Sequence, residues 1–207
     1  GDLQTIANLV PPLIGQNFNV TSVNDVAILE FDFVPTGDTL QFKYIFGSDE
    51  YLTWINSNYN DIFAFFLSGP GITGPYDAPP GFPNGSINIA QVPNSTPPLP
   101  ITISSVNPNL NAQYYIDNPG HDNIDINGYT TTLTAFHLVQ CGQTYHIKLA
   151  IGDGTDTALE SFVMLEEGSF TSNAVVDVSL DINVGQPDAN IIYEDCGEAA
   201  IVFQRAP

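Results

Sequence analysis

The residues best suited to chemistry are acids gathered in loops. Gly47-Ser48-Asp49-Glu50-Tyr51 is followed, after a short link, by Asn58-Tyr59-Asn60-Asp61. Both pieces lie between strongly apolar runs, so they belong to one connecting loop with two carboxylates at its start and an amide–carboxylate pair at its end. A second acidic turn, Asp153-Gly154-Thr155-Asp156, has Glu160 four residues on. Oxygen donors of this kind suit calcium, a hard cation that takes roughly six to eight oxygens. If the two loops emerge at the same end of the fold, Asp49, Glu50, Asn60, Asp61, Asp153, Asp156 and Glu160 form one shared metal site. The plainer alternative has these acids capping turns through backbone N–H groups. A third cluster, Asn123, Asp125 and Asn127 with Gly128, mimics the first half of an EF-hand loop. It opens on Asn, however, and has Thr134 where a bidentate Glu belongs.

Net charge favours the cation. The 207 residues carry 3 Lys+Arg against 23 Asp+Glu, a formal charge of -20, so the carboxylates repel one another unless something positive intervenes. Lys43, Lys148 and Arg205 cannot make a basic stripe, which excludes a phosphate-tracking nucleic-acid binder and docking on anionic lipid. No stretch is long and apolar enough to span a bilayer as a helix. With 43% hydrophobic residues the chain still has the means to bury a core. It opens at Gly1-Asp2 without a Met or a basic-then-apolar leader, as expected of a mature or excised piece of something longer.

Enzyme signatures are sparse. His121, His137 and His146 lack the HExxH spacing of a zinc protease, and Ser48, Ser68 and Ser161 lack a GxSxG elbow. Glu50 and Asp61 could act as the paired carboxylates of a glycosidase, but nothing distinguishes them from the other acids. The expectation is therefore no enzyme. Tyr51, Trp54 and Tyr59 crowd the first acidic loop, where they form either a platform for sugar rings or an inward-folded lid on the core. Cys141 and Cys196 have no CxxC spacing; they are either one bridge or two separate thiols.

The elements that position these loops read as strands. Residues 3–9 make the one plausible helix, which Pro11-Pro12 should end. From there the period is two: residues 26–34 and 39–46 alternate, and Pro35-Thr36-Gly37-Asp38 between them predicts a hairpin. Residues 62–67 (IFAFFL) are apolar on both faces, the mark of a central strand covered from two sides. After a Gly/Pro-rich excursion with a short strand near 87–92, further strands are expected at 99–104, 112–116, 130–139, 144–151, 161–165 and 175–184. That pattern predicts an all-β, antiparallel two-layer sandwich of jelly-roll-like connectivity. Residues 1–184 are expected to form it. Residues 185–207 then read as a linker or edge strand, or as the start of a following module.

The runs LEFDFVPTGDTLQFKYIFGSDEY (29–51), NDIFAFFLSGPG (60–71), GYTTTLTA (128–135) and CGQTYHIKLAIGDGTDTALESFVMLEEGSF (141–170), in that order, resemble the choice-of-anchor L domain. The resemblance covers about residues 1–175. It places the family's S-[DE]-E-Y motif on Ser48, Asp49, Glu50 and Tyr51, its N-D pair on Asn60 and Asp61, and its later acidic motif on Asp153, Asp156, Glu160 and Ser161. It implies a non-catalytic structural or adhesive module of secreted and cell-surface bacterial proteins, notably Bacteroidetes that export through the type IX system, often in gliding-associated polypeptides. Its partners would be other modules of the same polypeptide or other surface proteins, with glycans in the alternative reading of a carbohydrate-binding module.

Overall fold

The computed structural model describes residues 1–121, 124–173, 176–182 and 199–205, the last two stretches as backbone strands. Two antiparallel sheets face each other. The first has the order β1-β8-β3-β4, from β1 (Val23–Phe33), β8 (Tyr145–Gly154), β3 (Ile62–Ser68) and β4 (Ile87–Asn88). The second is built on β2 (Thr39–Ser48). Along one side of β2 run β6 (Gly128–Thr130), itself flanked by β5 (Tyr115–Asp117), and β7 (Leu133–Leu138); β9 (Ser161–Leu165) also pairs with β2. β10 (Val176–Ile182) and β11 (Ala199–Arg205) pair with each other.

Aromatic rings lock the sheets together. Phe42, Tyr44 and Phe46 of β2 meet Phe63 and Phe65 of β3, with ring centroids from 4.8 to 5.6 Å apart. The helix α1 (Asp2–Leu13) covers the opposite face of the first sheet, setting Leu3, Ile6 and Ala7 against Ile62, Ala64 and Phe66. β3 is thus buried on both faces, which is why its sequence is apolar without alternation.

Four local expectations change. The helix runs through Pro11 and Pro12 to Leu13. Proline's fixed φ is helical, burial of Val10 and Pro11 holds the last turn, and Ile14 and Gln16 donate back to Val10 and Pro11 carbonyls to close it. Residues 35–38 turn the chain but make no hairpin: β1 pairs with β8, and the turn carries the chain across to the second sheet. Alternation reveals that a strand has a buried face, not which strand lies beside it. Residues 99–104 form only isolated bridges, because Pro97, Pro98 and Pro100 withhold donors, and Ser105 and Asn107 side chains take up the local carbonyls instead. Ile101 and Ile103 are nevertheless fully buried in the main core. The expected strand 130–139 is broken into β6 and β7, since the Thr130 hydroxyl inserts into the ladder and accepts from the Phe46 N–H at 3.1 Å.

Candidate functional site

β3 and β8 are neighbours, so the loop entering β3 and the loop leaving β8 emerge at the same end of the sandwich. Asp61, immediately before β3, is fully buried. Its Oδ1 accepts from the Gly154 N–H at 2.9 Å and its Oδ2 from the Ser161 hydroxyl at 2.6 Å. This one carboxylate ties the end of β8 to the start of β9. Gly154 must lack a side chain, because a Cβ there would lie 2.7 Å from the Asn60 carbonyl oxygen. Thr155, at φ 77, donates its hydroxyl to the Asn58 carbonyl at 2.8 Å, and its N–H goes to Ser22 at 3.0 Å. Asn24 completes the stitching by donating to the Asp156 carbonyl at 2.8 Å. The segment leading into β1 thereby joins the two acidic loops.

Glu50 folds under the same loop. It is 0% exposed, its N–H donates to the Ser48 hydroxyl at 3.0 Å, and its Oε2 lies 3.5 Å from the Asp61 N–H. Its Oε1 has no hydrogen-bond partner, and neither polar atom of the fully buried Asn60 side chain has one. Burial, and next the charge of Asp61, push the Glu50 carboxyl up to about 9. Burial raises Asp61 to about 7 against the pull of its bonds from Ser161 and Gly154. Asp153 is raised to about 6 by burial and then by Asp25, Glu160 and Asp156. The lysines do not relieve this crowd: Lys43 pairs with Glu166 at 3.1 Å, and Lys148 lies over the Phe66 ring at 5.0 Å.

Of the seven expected ligands, Glu50, Asp61 and Asp153 come together, Asp156 adds its charge to all three and Glu160 adds its charge to Asp153, while Asn60 precedes Asp61 with a buried side chain that makes no hydrogen bond. Asp49 is engaged elsewhere: its Oδ1 accepts from the Asn127 N–H at 3.2 Å, and the Asn127 amide donates to its carbonyl. Glu160 is exposed and contributes its carbonyl to the Asp49 N–H at 2.9 Å. Among the described residues, no three His, Cys, Asp or Glu side chains converge closely enough to hold a metal by themselves. Asn127 belongs to the third acidic cluster, whose Asn123 lies outside the described residues, and there it fastens the β5–β6 loop to Asp49. Asp25, at φ 44 beside the irregularity in β1, is a member of the crowd that sequence reasoning missed.

The aromatic trio separates. Tyr51 is buried and packs on Phe46 and Tyr115, whereas Trp54 and Tyr59 meet edge to face with centroids 4.9 Å apart, so the three rings share no open platform. Cys141 is exposed; Cys196, with which it would form the possible bridge, lies outside the described residues. The larger surface clefts, of about 520 and 530 Å³, are lined by other residues, and Glu50 and Asp61 are closed to any substrate.

These features define a β-sandwich module organised around a junction of acidic loops. The family model of the Choice-of-anchor L domain matches residues 4–171, and the chain belongs to that family. Membership makes it a module of surface-associated proteins, in a family that is not one of enzymes. Among the described residues no helix is long and apolar enough to cross a membrane. No significant match was found among curated proteins or solved structures.

Proposed function

We propose that the chain is a structural or adhesive module of a larger bacterial surface polypeptide, and that a calcium ion stabilises it by locking its acidic loops. The observation that carries the calcium reading is the fully buried Glu50, whose Oε1 has no hydrogen-bond partner, beside Asp61 and Asp153, with Lys43 and Lys148 engaged by Glu166 and the Phe66 ring. The donor chemistry fits, since every available ligand is a hard oxygen. Glu50, the Asn60 amide oxygen and Asp153 would supply ligands, and Asp61 would orient the loop through its bonds to Gly154 and Ser161. Side chains must close in around the ion, because they do not form a finished cage. Bound calcium would supply positive charge, allowing the carboxylates to stay ionised in a buried place. The Bacteroidetes setting, type IX export and a part in gliding belong to the same proposal and rest on the sequence resemblance.

Thermal melting with millimolar calcium against EGTA tests this reading. Ligand at about a hundred times its Kd stabilises by about 2.7 kcal/mol, which for a domain of this size is a rise in Tm of roughly 5–10 °C. Glu50→Gln keeps the shape and removes the charge; it should abolish most of that rise. An unchanged midpoint in wild type, together with no heat of calcium binding, would overturn the metal and leave the surface module.

A further inference from the structure

The sandwich is open along one margin. Among the described residues β1 is the last strand of the first sheet and pairs with β8 alone. Its residues Ala27, Leu29, Phe31 and Phe33 sit opposite Ile151, Leu149, Ile147 and Tyr145, so they share the face that looks into the main core. Even so, Leu29 is 53% exposed and Phe31 is 37% exposed. Across from them lies β9, with Leu165 exposed and Val163 half-buried. Between the two strands runs an apolar groove of about 220 Å³, whose floor includes Phe65 and Leu149. Phe170 marks one end of this margin, packing on the rings of Phe31 and Phe33 at 5.4 and 5.2 Å. Soluble proteins avoid leaving a long apolar edge strand bare, because its free N–H and C=O groups are a template for another strand.

Charge decides what can lie there. The outward positions of β1 include exposed Ile28 and then Glu30 and Asp32, opposite Lys148 and His146; the His146 ring bonds Asp32 at 2.8 Å and lies 3.6 Å from Glu30, yet both carboxylates remain more than half exposed. A second copy pairing edge to edge in a register centred on residues 30–32 would run the same acids beside each other, on chains each at -20. The segment 176–182, VDVSLDI, has Asp177 and Asp181 at its polar positions and meets the same objection. We infer that the free edge of β1 accepts an extended strand from a partner polypeptide, with aliphatic side chains at alternate positions entering the groove between β1 and β9 and basic side chains beside Glu30 and Asp32. Main-chain bonds to β1 would supply affinity, and the groove and the two acids would supply specificity. This inference is independent of calcium.

The test uses a short synthetic peptide alternating valine with lysine, and a control of the same composition with the lysines grouped, at physiological salt. The alternating peptide should bind and slow hydrogen exchange of the amides in residues 27–33 that point away from β8. Leu29→Lys should make that binding roughly tenfold weaker, and Glu30→Lys should shift preference toward a peptide alternating valine with glutamate. Equal binding of both basic peptides, or protection confined to other residues, would overturn the inference. So would protection, in the chain without peptide, of those amides of residues 27–33 that point away from β8: concentration-dependent protection would assign the edge to a second copy, and concentration-independent protection to the chain's own segment.

Discussion

Glu50 and Leu29 are opposites within one domain. Glu50 is a carboxylate with no exposure and an unpartnered oxygen; Leu29 is an aliphatic side chain on the core face with more than half its surface in water. Water would satisfy the first and burial the second, yet each residue has the other's environment. The loop end of the sandwich is closed by hydrogen bonds from Gly154, Ser161 and Thr155, and closing it traps negative charge. The β1 margin is bare and traps nothing. The two proposals answer these two defects, a cation for the buried carboxylates and a strand for the bare edge.

The widest separation between them should appear on changing pH in chelator. Glu50, Asp61 and Asp153 have carboxyls raised to about 9, 7 and 6 in the fold, above their unfolded values. Raised acid pKa values mean that the native state holds protons more tightly than the unfolded one. The stability these carboxyls lend the metal-free fold is therefore complete only below about pH 4, and it is lost as pH climbs through 6 and 7 to about 9. The expected loss in chemical denaturation is several kcal/mol, and Glu50→Gln should flatten its upper part. A metal-free stability that instead rises with pH would mean that the loop end holds its charge without strain.

Gly154→Ala should cost less, about 1–3 kcal/mol, because the added methyl meets Asn60 backbone that cannot give way. Its effect should be accompanied by loss of the calcium response, since it prises apart the two loops. Leu29→Lys should change stability by no more than about 1 kcal/mol, as the leucine gains little burial to lose. A cost matching that of a core truncation would show the margin to be packed after all, and would erase the contrast.

Much of the architecture was legible from residue order because alternation is a local property. β1, β2, β3 and β9 fall within a few residues of where the period of two places them, and IFAFFL correctly implies cover on both faces. What periodicity omits is pairing. The turn at residues 35–38 looks like a hairpin, and only the long-range match of Phe33 with Tyr145 shows that β1 belongs to the other sheet. The site was half legible for the same reason. Acidic loop composition singled out Glu50, Asn60, Asp61 and Asp153, but their meeting depends on β8 lying beside β3, a contact between residues about ninety positions apart. Asp49 could not be separated from Glu50 by sequence, because adjacent residues leaving a strand turn to opposite sides, here one toward Asn127 and the other inward.

The crossing of the chain between sheets also governs how the module carries mechanical load. The helix is seated on the first sheet, while Asn173 holds the rim of the second through the N–H groups of Asp38 and Thr39. A pull applied between these two points has to pass from one sheet to the other, and the rings of Phe42, Tyr44, Phe63 and Phe65 lie on the interface it must cross.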